Sequence, residues 1–298
     1  MNMRPNKMTP TISEVLLSIG YDVTTSTDIP TGNIVPLNQW LRTTRGAVDK
    51  GNHASNRKSD RAKILGKSAK IEKSNKAGVL TAVAYLSPFT ESGVNLCAMA
   101  TRGCAESCLG HTTRRMAWTT SRIARIERSL RYQLYREEFM HDLRCELRDH
   151  RKKADKLGMR HAVRLNGSTD ILWERTGIME EFPDVQFYDY TKYRWNQRKV
   201  PANYHLTFSI SERPSSYKEA MAWLSAGHNA ALVVRNELQV RWAIAMGWRG
   251  FPAIDGDETD IRFDDPAGHV VTLKAKGAAK YDKSGFVQDI DTTITLAA

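Results

Sequence analysis

From residue 79 onward, short apolar runs alternate with helix-forming stretches, and each run ends on polar residues. Val79-Leu80-Thr81-Ala82-Val83-Ala84-Tyr85-Leu86 is closed by Ser87-Pro88, and Ala162-Val163-Arg164-Leu165 by Asn166-Gly167-Ser168-Thr169-Asp170. Val185–Tyr188 runs into Asp189-Tyr190-Thr191-Lys192, and Tyr204–Phe208 into Ser209-Ile210-Ser211-Glu212. Ala231–Val234 ends at Arg235, Phe251–Ile254 at Asp255-Gly256-Asp257, and Val270–Leu273 at Lys274. Runs of this length, largely apolar, are the signature of strands covered on both faces. Strands that alternate with helices pair in parallel through crossover connections. Seven of them predict an α/β fold, a complete or partial parallel β/α barrel of the TIM-like type.

Two helices are expected between the runs. Ile123, Ile126, Leu130, Leu134, Leu143 and Leu147 recur at helical spacing and predict one long helix over 117–157, with Gly158 as its cap. Its other face carries Arg122, Arg125, Arg128, Arg131 and Arg136, which reads as a solvated stripe with local acidic partners such as Glu127. A second helix is expected over 216–226, capped by Gly227.

Parallel pairing brings every strand's C-terminal end to one rim, where active sites are assembled. Asn166, Asp170, Asp189, Lys192, Glu212, Asp255, Asp257 and Lys274 are therefore the candidate substrate-binding residues, with Ser168, Ser209 and Arg235 beside them. Polar strand ends also arise simply because loops are solvated. The density of Asp255, Asp257 and Asp260 raises a second possibility, a hard cation such as magnesium.

Cysteine usage bears more directly on chemistry. Cys97, Cys104 and Cys108 fall within one loop, NLCAMATRGCAESCLGH, directly after the first strand, and Cys145 is the chain's fourth cysteine. Three thiolates spaced C-x6-C-x3-C can hold three corners of a [4Fe–4S] cluster and leave one iron open to a small-molecule ligand. A closed Cys3His zinc site using His111 is a rival, although zinc knuckles pair cysteines at C-x2–4-C and only the second gap fits. Disulfides are disfavoured in a reducing cytoplasm, where the chain is expected because MNMRPNKMTPTISEVLLSIG has no continuous apolar core. No apolar run reaches the ~18 residues that a membrane span needs. Cys145, between Leu143 and Leu147 in a helical pattern, reads as packing, yet it is the one thiol left to close the site.

Charge adds a second function class. The net charge is +11, and residues 42–76 hold eleven Lys and Arg against Asp49, Asp60 and Glu72, with few large apolar side chains. Such a stretch is a mobile basic arm that engages nucleic-acid phosphates, or else a solvated linker. The expected organisation is an N-terminal extension over 1–78 and a barrel-like domain over 79–298.

The segments LNGSTDILWE, FYDYTK, NYHLTFSISE, AIDGDETDIRFDDP and VTLKAKG, with the cysteine loop before them, resemble the gene-product-88 family of phage-encoded proteins over roughly residues 80–290. That resemblance implies a phage origin and action in the infected host's cytoplasm; it assigns no reaction. In arrangement alone, three cysteines after the first strand of a β/α barrel also resemble radical S-adenosylmethionine enzymes. This implies S-adenosylmethionine on the open iron. The chain departs from that pattern, which is C-x3-C-x2-C, and lacks its glycine-rich run unless Asn166-Gly167-Ser168 substitutes for it. Two readings thus stand: an iron–sulfur enzyme, or a nucleic-acid-binding protein with a structural cluster or zinc.

Overall fold

Val79–Ala84 (β2) is buried at every position, which only a strand covered on both faces achieves. In the computed structural model, which describes residues 63–66, 77–92, 94–112, 116 and 119–292, it belongs to an eight-stranded sheet. The other strands are β1 (Leu65–Gly66), β3 (Arg160–Arg164), β4 (Gln186–Thr191), β5 (Tyr204–Ser209), β6 (Asn229–Val234), β7 (Ala253–Asp255) and β8 (Val270–Lys274). The order is β1-β2-β3-β4-β5-β6-β8-β7; β1 is antiparallel to β2 and all other pairs are parallel. All seven expected strands are present, so the α/β class holds.

The complete barrel does not. The sheet is open, with β1 and β7 as its edges. Alternation along the strands separates two faces. Val163, Phe187, Leu206 and Leu232 belong to the large core under the helices. Val79, Ala162 and Tyr188 point the other way and are covered by Ile261 and Phe263 from the β7–β8 connection. A closed barrel fills its interior with strand side chains; here a connecting segment fills that face. It is pinned there by Arg164, whose guanidinium reaches Asp260 at 3.0 Å, and by the Arg160–Asp264 pair. The connection also carries β8 between β6 and β7, which leaves β7 at the edge.

The helices are α1 (Arg102–Glu106), α2 (Leu109–Thr112), α3 (Thr119–Leu134), α4 (Arg136–Leu157), α5 (Ile178–Glu181), α6 (Pro214–Ser225) and α7 (Glu237–Met246). The single helix expected over 117–157 is two, broken at Tyr135, where ψ is 54°. The break lets Tyr132 and Phe139 meet edge to face at 5.4 Å and both rings reach Trp173. Leu143 and Leu147 are buried as their spacing predicts, and Gly158 caps α4 at φ +63°. Gly227, at φ +84°, follows α6, and its N–H bonds Leu224 O.

Most of the arginine stripe is not a solvated face, although Arg136 at its end is exposed. Arg125 and Arg131 are buried, paired with Glu91 and with Asp142 and Glu127, and Arg128 donates to the carbonyls of Tyr85 and Lys63. Acceptors from the strand end and from α4 turn these cations inward. Most of the basic stretch 42–76 lies outside the described residues. Within it, Ile64 is buried and Leu65–Gly66 completes the sheet edge, with the amides of Ile64 and Leu65 held by the Glu146 carboxylate. Among the described residues no helix is long and apolar enough to cross a membrane.

Candidate functional site

The cysteine loop leaves the C-terminal end of β2 and is anchored to the ends of the neighbouring strands. Asp170, after β3, donates its N–H to Leu96 O at 3.0 Å, and Ser168 Oγ donates to Leu86 O. Gly167 permits this approach, since a Cβ there would lie 2.5 Å from Val83 Cγ1 and 2.7 Å from Ala84 O. After β5, the Glu212 carboxylate accepts from Thr101 Oγ1 at 2.7 Å and from Gly103 N at 2.8 Å. Thr101 in turn caps α1 by accepting from Cys104 N. Glu212 thus fixes the turn that carries Cys104. From the far edge, the one-turn helix Gly277–Tyr281 packs on α2, and Ser284 and Phe286 crowd Gly103. The loop is therefore enclosed on several sides at the strands' C-terminal ends.

Cys97 and Cys108 both adjoin Ser168. Cys97 Sγ lies 3.7 Å from Ser168 O, and a Cβ on Gly110 would sit 3.2 Å from Ser168 Cβ and 3.3 Å from Cys108 Sγ. Each of these sulfurs accepts a backbone N–H, Cys97 from Phe89 at 3.3 Å and Cys108 from Gly110 at 3.4 Å. Phe89 makes its bond from φ +47°, a region a phenylalanine rarely adopts. Burial pushes the Cys97 thiol up to about 12 and the Cys108 thiol up to about 11, and in both cases proximity to Cys104 adds to the rise. Without a cation these two sulfurs stay protonated at neutral pH; a bound metal centre would supply the missing positive charge.

Among the described residues no group of three or more His, Cys, Asp and Glu is gathered as a metal-ion site, the three thiols included, and the His111 side chain lies outside those residues. A single zinc needs all its ligands within about 2.3 Å of one point. A cluster asks less, because each thiolate binds a different iron and the sulfurs stand further apart. Half-buried thiols supported by N–H donors suit that larger group, since such hydrogen bonds are among the features that tune clusters. Cys145 is elsewhere: its sulfur accepts from the Arg148 guanidinium at 3.3 Å and lies 4.0 Å from His141 on α4.

The candidate substrate residues separate into two groups. Asp170 and Glu212 bond the cysteine loop itself, while Asn166, Asp189 and Lys192 lie on the neighbouring strand ends, Asn166 bonded to Asp189 and Lys192 to Asp170. Several of them already serve the fold. Asn166 Oδ1 accepts from Thr169, Ile171 and Trp173, and its amide nitrogen donates to Ile171 O. Lys192 Nζ donates to Ser209 Oγ at 2.7 Å. Asp189, fully buried, accepts from Asn166 N at 2.9 Å and Tyr204 Oη at 3.0 Å. Burial pushes its carboxyl up to about 7, although Arg164 pulls the other way. Asp170 accepts from Lys192 N through Oδ2, while Oδ1 has no hydrogen bond and stands 3.6 Å from Arg198.

Asp255 and Lys274 end β7 and β8, and Asp257 follows β7 by two residues. Asp255 accepts from Asp257 N, Asp257 pairs with Lys276, and Lys274 reaches Glu237 at 2.8 Å. Asp260 belongs to Arg164. The three aspartates do not converge on a cation site; the chain's own cations and amides take them.

Sequence reasoning missed a hollow of about 390 Å³ beside Cys97, walled by Asn95, Leu96, Ala98, Tyr132, Arg136, Asp170, Arg175 and Tyr193 among others. Only the strand-end position of Asp170 pointed toward it.

The family model described as Gene product 88 matches residues 53–290, reaching further into the basic stretch than the sequence motifs do. No curated protein and no solved structure matches the chain.

Proposed function

The chain belongs to the gene product 88 family, and from that premise we propose a phage-encoded iron–sulfur protein whose cluster works as a chemical centre. Cys97, Cys104 and Cys108 hold a [4Fe–4S] cluster at the C-terminal ends of the parallel strands, and one iron is free of cysteine. The observation that carries this reading is the pair of backbone N–H groups given to Cys97 and Cys108, one from a strained Phe89. A loop that spends an unfavourable backbone conformation on a sulfur acceptor is organised around that sulfur. Cys145, engaged with Arg148 on α4, is no candidate for the fourth corner.

An iron–sulfur cluster with an open iron binds a small ligand or passes an electron to one, and both uses need access. The hollow whose wall includes Asn95, Leu96 and Ala98, the neighbours of Cys97, is where such access would open. The chain's own residues would hold the centre and exclude competing donors: Glu212 fixes the Cys104 turn, and Asp170 and Ser168 tie the Cys97 turn to β3. S-adenosylmethionine is the ligand to try first, because the loop follows the first parallel strand. Purification without oxygen should give brown protein containing iron and acid-labile sulfide in equal amounts. Adding S-adenosylmethionine to the reduced protein should then alter the paramagnetic spectrum. Stoichiometric zinc without sulfide would overturn the reading.

The basic stretch 42–76 favours a second reading, in which nucleic acid is the partner and the cluster is structural. Affinity for nucleic acid should then fall steeply with salt and be lost when residues 42–62 are removed.

A further inference from the structure

The hollow beside Cys97 does not stand alone. A second one, of about 590 Å³, adjoins it, because Arg175 and Tyr193 line both. Three exposed cations stand in the walls: Arg136 in the first hollow, Lys199 in the second and Arg175 in both. Elsewhere on the surface, Arg144 pairs with Glu181, Arg151 with Asp184 and Arg235 with Asp289. These three cations form no ion pair among the described residues. The two carboxylates in the walls, Asp170 and Glu174, are already matched by the buried Arg198, at 3.6 Å and 2.5 Å. The walls therefore carry unbalanced positive charge. They also carry aromatic rings. The Arg136 guanidinium carbon stands 3.5 Å from the centre of the Tyr132 ring, and the Arg198 guanidinium carbon 5.8 Å from that of Tyr193. Amides complete the walls, Asn95 and Gln133 in one hollow, Asn196 and Gln197 in the other.

We infer that the two hollows form a groove that binds single-stranded nucleic acid. Cations follow the phosphates of a strand, rings stack its unpaired bases and amides meet base edges. Adjacent nucleotides occupy the two hollows, the phosphate that joins them lies on Arg175, and a base stacks on Tyr193. A small anion accounts for one hollow; a strand accounts for both and for the wall they share. Each volume falls within the range of about 300–1,000 Å³ that houses a small molecule, which is room for one nucleotide. The inference rests on the reading in which nucleic acid is the partner, and gives it a site on the folded domain apart from the basic stretch 42–76. The groove meets the cysteine loop at Asn95, whose Oδ1 accepts from Cys97 N at 2.9 Å.

Fluorescence anisotropy of a labelled oligothymidylate of about 15 nucleotides, and of a duplex of equal length, tests this against the full chain at several salt concentrations. The strand should bind more tightly than the duplex. Arg136→Gln combined with Arg175→Gln should weaken strand binding about tenfold and lower the slope of log affinity against log salt by about 0.7 per arginine. Tyr193→Ala should also weaken it about tenfold, while Tyr193→Phe, which keeps the ring, should bind like the parent. Arg241→Gln, an exposed arginine on α7, controls for net charge and should leave binding unchanged. Equal affinity for strand and duplex would overturn the groove, as would an affinity left unaltered by the arginine pair or by Tyr193→Ala. In that event, weakened binding by the triple variant Arg57→Gln, Lys58→Gln and Arg61→Gln would keep nucleic acid as a partner of the basic stretch alone. No binding by the parent would end both readings. None of these measurements depends on the cluster.

Discussion

Two loops of this protein look alike in sequence and behave oppositely in the fold. Each follows a strand, and each crowds potential ligands into a short span: Cys97, Cys104 and Cys108 in one, Asp255, Asp257 and Asp260 in the other. In the acidic loop each of these three carboxylates meets a group from its own chain: the Asp257 amide, Lys276 or Arg164. That loop is a strap that covers one face of the sheet. In the cysteine loop the sulfurs of Cys97 and Cys108 accept backbone N–H groups, from Phe89 and Gly110. Asp257 and Asp260 are thereby neutralised by side-chain cations and serve the fold, whereas a backbone amide on each sulfur does not supply the charge that a thiolate would need.

The sharpest way to break that contrast is to count iron. Cys97→Ala, Cys104→Ala and Cys108→Ala should each abolish the brown chromophore and the acid-labile sulfide of anaerobically purified protein. Cys145→Ala and Asp255→Asn should leave both unchanged. Retention of a full cluster by any one of the three loop variants would remove that cysteine from the ligand set.

The next effect concerns Asp189, which stands between the two extremes. It is buried with hydrogen bonds yet with Arg164 only at 3.9 Å, and burial pushes its carboxyl up to about 7. A carboxyl raised above its unfolded value of about 4 favours the fold while protonated. Its contribution is therefore complete below about pH 4 and is lost as pH rises to about 7. Asp189→Asn keeps an acceptor for the Asn166 N–H, and Tyr204 Oη can turn to accept from the new amide. Relative to the parent, the variant should gain stability between pH 4 and pH 8, on the order of a few kcal/mol. Parallel urea unfolding curves at the two pH values check this, and a constant difference would show that Asp189 is ionised throughout.

Much of the fold was legible because buried parallel strands are uninterrupted apolar runs, and that is a local property. Closure is not local. Nothing in the spacing of Val79–Ala84 or Val270–Lys274 says whether the sheet ends meet, and the charged β7–β8 segment reads as a surface loop although it covers a sheet face. The strand Leu65–Gly66 is two residues inside a polar stretch and leaves no periodic signal. The break at Tyr135 is set by the Tyr132, Phe139 and Trp173 rings, which are separated in sequence. In the site, the cysteines announced themselves by residue type. The Arg136–Arg175–Tyr193 grouping did not, because it is assembled across segments. Glu212 was expected at the rim as a substrate-binding residue, whereas its carboxylate serves as an anchor of the loop.

That anchoring gives a smaller, structural prediction. Glu212→Ala removes the acceptor of the Gly103 amide and the Thr101 hydroxyl, two bonds to a carboxylate worth together about 3 kcal/mol. The urea midpoint should fall accordingly, and iron occupancy should drop as the Cys104 turn loosens. Glu212→Gln, which can still accept from Gly103, should recover much of the loss. Full occupancy in the alanine variant would mean that α1 holds Cys104 without help from β5.

The smallest effect belongs to the acidic loop itself. Asp257 meets Lys276 at a partly exposed position, with Lys274 N 3.2 Å from its other oxygen. Ion pairs open to solvent contribute about 0–1 kcal/mol, because water and salt screen them. Asp257→Asn should therefore lower stability by less than about 1 kcal/mol, and by less still in molar salt. Asparagine also keeps an oxygen for the Lys274 amide, which limits the loss further. If the loop were a cation site, magnesium would raise the parent's melting temperature and this substitution would cancel the rise. The lysine already occupies the carboxylate, so millimolar magnesium should shift neither protein. A magnesium-dependent stabilisation that Asp257→Asn removes would place a second ligand-binding loop opposite the cysteines and dissolve the contrast between the two.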